Sequence, residues 1–134
     1  MTTVKTYNHN LWDHGISQGY SVNGTLYISG QFSHNATGEF VGAGDIKLQT
    51  QQTLNNLDRV LTEFGITKAN LAYVEIYLTN AQEHGGPVID LFKEYLGDHH
   101  RPAGSLIGVT YLAFPEQWVE IRAVAHVEWV GPRN

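Results

Sequence analysis

The chain has 134 residues, the size of one domain and long enough to bury a core, and 42% apolar with 16% charged residues is a globular composition. Its 8 Lys and Arg against 13 Asp and Glu leave a formal net charge of −5 with no basic run, which argues against a nucleic-acid partner, because holding a phosphate backbone depends on clustered cations. Cysteine is absent, so disulfides, thiolate nucleophiles and cysteine-based metal sites are excluded.

No apolar stretch approaches the roughly 18 residues that span a bilayer. The segment from Met1 to Asn10 lacks the apolar centre of a signal peptide. A soluble, cytoplasmic protein with no membrane partner is expected. No linker, low-complexity tract or internal repeat divides residues 1–134, which read as a single domain.

Tyr20-Ser-Val and Thr25 to Ser29 flank Asn23-Gly24, a pair suited to the two positive φ values of a type I′ hairpin turn. A loop from Gly30 to Gly44 follows, long for a compact domain, with a small extra strand expected around Glu39-Phe40-Val41. Asp45 is a candidate N-cap for a helix whose Leu54, Leu57, Val60, Leu61 and Phe64 recur at helical spacing, and Gly65 is its closing C′ residue. Leu71 to Leu78 is rich in β-branched and aromatic residues and reads as a strand. Pro87 is expected to open a second helix, with Val88, Leu91, Phe92, Tyr95 and Leu96 as its apolar face and Gly97 at its end. After the His99-His100-Arg101-Pro102 turn, strands are expected over Ser105–Leu112 and Trp118–Trp129. The order ββ(β)αβαββ predicts an α+β fold with two helices covering one face of a sheet.

Val119, Ile121, Ala123, Ala125 and Val127 alternate along the last strand and suit a face packed under helices. The strands before it are apolar or aromatic on both sides, and two helices cover only one sheet face. The second face is therefore expected to meet another subunit, since large apolar patches rarely stay open on monomers.

Several residues invite chemical readings. Adjacent His99 and His100 point apart on extended chain and lack metal-ligand spacing, so a solvated turn is expected and no metal. His14 and His34 sit in loops and read as surface histidines ahead of pocket-lining ones. The loop glycines fit neither the dinucleotide nor the P-loop spacing, and Ser29 lacks the flanking pattern of a nucleophile elbow. Glu120, beside Trp118 and Val119, must be paired, solvated or shifted upward in pKa. Two readings stand open for it: a functional carboxylate, or an edge glutamate paired with Arg122.

Taken together, Gly24-Thr-Leu-Tyr-Ile-Ser-Gly-Gln31, Gly38, Gln49 and Gln52, Leu54-Asn-Asn-Leu-Asp-Arg-Val-Leu61, Gly65, Val74–Leu78, Arg101-Pro-Ala103 and Val119-Glu-Ile-Arg-Ala-Val-Ala125 resemble the Rid family, the reactive intermediate deaminases also called the YjgF family. The resemblance runs over about residues 16–127. It implies a chorismate-mutase-like α+β fold and a homotrimer with small-molecule pockets at the subunit interfaces. It also implies hydrolysis of imines and enamines to 2-keto acids and ammonia without metal or cofactor. In the best-characterised branch an arginine directly after Pro-Ala grips the substrate carboxylate, a guanidinium being able to form two parallel hydrogen bonds to it. There, a backbone N–H just beyond assists, a glutamate on the last strand positions water, and a tyrosine near the N-terminus helps close the pocket.

Here Gly104 follows Pro102-Ala103, and Ile16 stands where that tyrosine belongs, while Ser29 and Glu120 match. The resemblance thus implies Glu120 as the catalytic base, with Ile16, Ser29, Gly30 and the Gly104-Ser105-Leu106 backbone contacting ligand. Gly104 is expected to leave room for a ligand other than 2-iminopropanoate. Arg101 is expected to point to the opposite face. The alternative expectation is a non-catalytic, metabolite-binding trimer, and an endoribonuclease ranks behind both.

Overall fold

Asn23 and Gly24 take φ of 51° and 79°, so a type I′ turn joins the first long hairpin as expected. The computed structural model describes residues 2–9 and 11–127. Its strands are β1 Val4–Tyr7, β2 Gly19–Val22, β3 Thr25–Gln31, β4 Leu71–Thr79, β5 Ala103–Val109 and β6 Val119–His126, with helices α1 Ile46–Glu63 and α2 Ala81–Leu96 and a short 3-10 turn at Lys68–Asn70. The six strands form one mixed sheet in the order β1-β2-β3-β6-β4-β5, in which only β4 and β5 run parallel.

Both helices pack on one face of this sheet, which gives the α+β layout. The core they enclose joins Leu54, Leu57, Val60 and Leu61 of α1 and Val88 of α2 to Val119, Ile121, Ala123 and Ala125 of β6, the alternation read from the sequence. Helix α1 begins and ends where its signals placed it. The Asp45 side chain accepts from Leu48 N at 3.1 Å, and Gly65, at φ 71°, lets the amides of Gly65 and Ile66 bond the carbonyls of Thr62 and Leu61.

Four expectations are corrected. Pro87 does not open α2 but lies inside it. The helix starts at Ala81 because Asn80 takes the left-handed conformation and its carbonyl accepts the amides of Glu83 and His84. The strand expected over 105–112 starts at Ala103 and stops at Val109, because its partner β4 ends at Thr79 and nothing remains to pair with. The extra strand near Phe40 is a single bridge to His34. Strand β1 carried no signal beyond four alternating, mostly exposed residues at a sheet edge. The last strand begins at Val119 and ends at His126, and Glu128 and Trp129 lie outside the described residues.

The helix-free face carries a row of partners, Tyr20, Tyr27, Val124, Tyr73 and Ala103, across five strands. Tyr27 is 52% exposed and Tyr20 43%. Among the described residues no helix is long and apolar enough to cross a membrane.

Candidate functional site

Ser29 and Gly30 of β3 stand opposite the single residue Arg122 of β6, since Ile28 pairs with Ala123 and Gln31 with Ile121. The resulting bulge at Ser29-Gly30 breaks the ladder and re-aims the side chains around it, as bulges beside functional sites commonly do. Glu120 lies against this bulge. A Cβ on Gly30 would sit 2.5 Å from Glu120 Oε2 and 2.7 Å from its Cδ, so the missing side chain is what lets the carboxylate lie on the strand. Glu120 Oε1 accepts from Gln117 Nε2 at 3.2 Å. Arg122 does not pair with Glu120; it pairs with Glu75, which Tyr73 and Tyr77 also bond, and this holds the Glu75 carboxyl below its ordinary range.

Glu120, Ser29, Gly30 and Ile16 share one cleft of about 330 Å³ with Trp12, His14, Gln18, Gln31, Phe32, His34, Ala113, Phe114 and Gln117. Its inner side is a polar relay. Tyr7 Oη donates to His9 Nδ1 and His9 Nε2 to Gln31 Oε1, both at 3.0 Å, which fixes the neutral tautomer of His9. Gln31 Nε2 then donates to Gln18 Oε1 at 2.8 Å and to the Ser29 carbonyl at 2.9 Å. The Ser29 hydroxyl donates to the Ser17 carbonyl at 2.6 Å.

Its outer side is an aromatic wall. Trp12 lies 5.6 Å from Phe32 and Phe32 lies 5.1 Å from Phe114, while His34 meets Trp12 edge-on at 4.9 Å. Contrary to the surface reading, His14 and His34 line the cleft, and His34 is only 1% exposed. Its Nδ1–H bonds the Asn35 carbonyl at 2.9 Å, leaving Nε2 as the lone-pair nitrogen. Burial, the largest cause in each case, pushes the pKa of His9 and of His34 below 6.5.

Helix α1 holds these loops in place. Asn56 Nδ2 donates to the carbonyls of Phe32 at 2.8 Å and His34 at 3.0 Å. Gln49 donates to the carbonyls of Gly42 and Glu116 and accepts from Trp118 N. Gln49, Gln52, Thr53 and Asn56 form a polar stripe at helical spacing beside the apolar one. Gln49, Gln52 and Asn56 are marked in the sequence only by the family resemblance, and nothing there marks the aromatic wall as a site.

Gly104, Ser105 and Leu106 are elsewhere, on the edge strand β5, and do not line this chain's cleft. Gly104 and Leu106 register with the helix-side residues Val74 and Ile76, so they lie on the sheet face opposite Glu120. Nor does Gly104 leave room, because a Cβ there would lie 2.2 Å from the Val74 carbonyl oxygen. Arg101 bonds the carbonyls of Gly97 and His100 at the end of α2. The His100 ring bonds the Leu71 carbonyl at 2.7 Å. Among the described residues no group of three or more histidines and carboxylates is placed to hold a metal.

The family model described as Endoribonuclease L-PSP matches residues 12–127, and it is the model of the YjgF/Rid proteins. The chain belongs to the YjgF/Rid family. This Rid chain is 35% identical over 111 residues to a RutC family protein of Aquifex aeolicus, covering 81% of this chain and 86% of that one. It is 30% identical over 113 residues to a 2-iminobutanoate/2-iminopropanoate deaminase of Dermatophagoides farinae, covering 84% and 85%. The crystal structure of the Rid protein YyfA from Yersinia pestis superposes with a TM-score of 0.84 at 33% identity, over 92% of the Rid chain and 99% of YyfA.

Proposed function

We propose that this Rid protein hydrolyses an imine or enamine other than 2-iminopropanoate, with Glu120 as the base. The observation that supports this best is the Glu120 carboxylate seated on the Gly30 bulge, at the floor of a cleft large enough for a small metabolite. Water held by Glu120 gives its proton to the carboxylate as its oxygen adds to the C=N carbon. The carboxylate hands that proton to nitrogen. It then takes the proton of the new hydroxyl and passes it to nitrogen as well while the C–N bond breaks, so that ketone and ammonia leave and the carboxylate is restored. Water and one base suffice for this sequence, so no metal or cofactor is called for. Ser29 and Gly30 border the reacting centre, and Ile16, 62% exposed, stands at the mouth.

The aromatic row on the helix-free face supports assembly with further copies, and the proposed assembly is a homotrimer. In it the Gly104-Ser105-Leu106 edge would reach ligand only in a neighbouring copy's cleft. A soluble cytoplasmic location suits such a metabolic role. The absence of Lys or Arg among the described residues of the cleft, together with the net charge of −5, favours a small molecule over RNA. The same absence, with glycine in the clamp position, also favours a second reading, a trimer that binds a metabolite without turning it over.

The test generates a panel of imines with amino-acid oxidases and follows their loss against semicarbazide trapping, with light scattering on the same sample. Hydrolysis of at least one imine above the buffer rate, by a particle near three chains in mass, is expected. Metabolite binding without any turnover would establish the second reading instead, and a stable monomer would remove the trimer.

A further inference from the structure

The cleft's hydrogen-bonding capacity is largely spent on its own walls. Both Gln31 amide hydrogens, the Ser29 hydroxyl and the His34 Nδ1–H are bonded within the protein, and Gln117 Nε2 donates to Glu120 Oε1 and to the Val119 carbonyl. Among the described residues the side-chain donors left in the cleft are the Gln18 amide and the ring N–H groups of Trp12 and His14, and none of them carries a fixed positive charge. Among the described residues that line the cleft, the one fixed charge is the Glu120 carboxylate, whose Oε2 lies against Gly30. The other wall is the continuous face of Trp12, Phe32 and Phe114, ring surfaces that attract a cation within about 6 Å of their centroids. In the proposed assembly the β5 edge would add no cation to a neighbour's cleft, because Ala103–Val109 holds no Lys or Arg and Arg101 bonds the carbonyls of Gly97 and His100.

We infer that the cleft selects a flat, apolar ligand carrying a protonated nitrogen and rejects carboxylates, so that its substrate class is aryl or cyclic imines bound as iminium ions. The inference rests on the reading that substrate occupies this cleft, and it concerns only what the ligand's charge and shape must be. In the bound state the ring lies on the aromatic wall, and the N–H donates to Glu120 Oε2. A carboxylate in the same place would meet Glu120 with no cation to hold it.

Benzamidinium, benzamide and benzoate share one ring and differ in charge, so they serve as probes of the full chain by titration calorimetry at 0.15 M salt. Benzamidinium is expected to bind at least tenfold more tightly than benzoate, with benzamide between them. The Glu120→Gln variant is expected to bring the three within about threefold, which separates a local charge effect from the general attraction of a chain of net charge −5. Trp12→Leu is expected to weaken all three, and benzamidinium the most, because it removes a ring face that attracts the cation. Benzoate binding as tightly as benzamidinium, a benzamidinium preference that survives Glu120→Gln, or no binding of any probe at millimolar concentration would each overturn the inference. Selectivity for benzamidinium without turnover of any imine would leave it standing and count against the deaminase reading. Hydrolysis of an anionic 2-imino acid that benzoate inhibits and benzamidinium does not would do the reverse.

Discussion

Gly30→Ala should disable the site while leaving the fold nearly intact. The added Cβ would lie 2.5 Å from Glu120 Oε2, 2.7 Å from Cδ and 3.0 Å from Cγ, where ordinary contact begins at 3.4 Å. All three atoms belong to the end of a flexible side chain, so the carboxylate yields by nearly 1 Å and the backbone stays. A catalytic group misplaced by about 1 Å loses on the order of a hundredfold in rate. The stability terms are small and opposed. Losing the Gln117–Glu120 bond costs about 0.5–1.5 kcal/mol, while replacing a glycine that is not at positive φ contributes about 0.4–1 kcal/mol by restricting the unfolded chain. The assay pairs kcat/KM on the best imine of the panel with thermal unfolding followed by circular dichroism. A drop of about a hundredfold with a Tm within roughly 5 °C of wild type is expected. Turnover within threefold of wild type would refute the placement of Glu120, and a collapse of Tm would show that the carboxylate is not the part that yields.

Gly104→Arg, the substitution that the family's clamp invites, should confer no hydrolysis of 2-iminopropanoate and should destabilise the chain by about 1–3 kcal/mol, because its Cβ meets the Val74 carbonyl oxygen rather than a movable side chain; an active, stable variant in the imine assay would contradict this. Asn56→Ala should cost about 2–4 kcal/mol in urea unfolding, since it strips two buried loop carbonyls of their donor. Because burial lowers the pKa of His9 and His34, the unfolded chain takes up protons first as pH falls below 6.5, so their contribution is present above 6.5 and is lost as pH drops through the folded values. Unfolding free energy should therefore decline from pH 7.5 to 5.5, and less steeply in His9→Gln; a flat or rising profile in the wild type would refute the sign.

The elements that the sequence made legible are those governed by local rules. Asp45, Gly65, the Asn23-Gly24 turn and the alternation along 119–125 each constrain only near neighbours, and each appears as read. Pro87 misled because the start of α2 is set by the conformation of Asn80, which no composition signal announces. At the site, resemblance reached Ser29 and Glu120, whereas Trp12, Phe32, His34 and Phe114 come from three separate loops, two of which are held by the hydrogen bonds of Asn56 and Gln49. The reading of Gly104 as open space failed for a related reason. Which way a strand residue faces depends on register with β4, and register belongs to the folded sheet.

In the proposed reaction the Glu120 carboxylate carries the chemistry of this cleft. Its most direct test is the kcat/KM of Glu120→Gln, which keeps the size of the side chain and its bond with Gln117 while removing the base. A loss of about a hundredfold to ten-thousandfold on the best imine is expected, with Tm and particle mass unchanged. A folded Glu120→Gln protein that turns over within threefold of wild type would contradict the account.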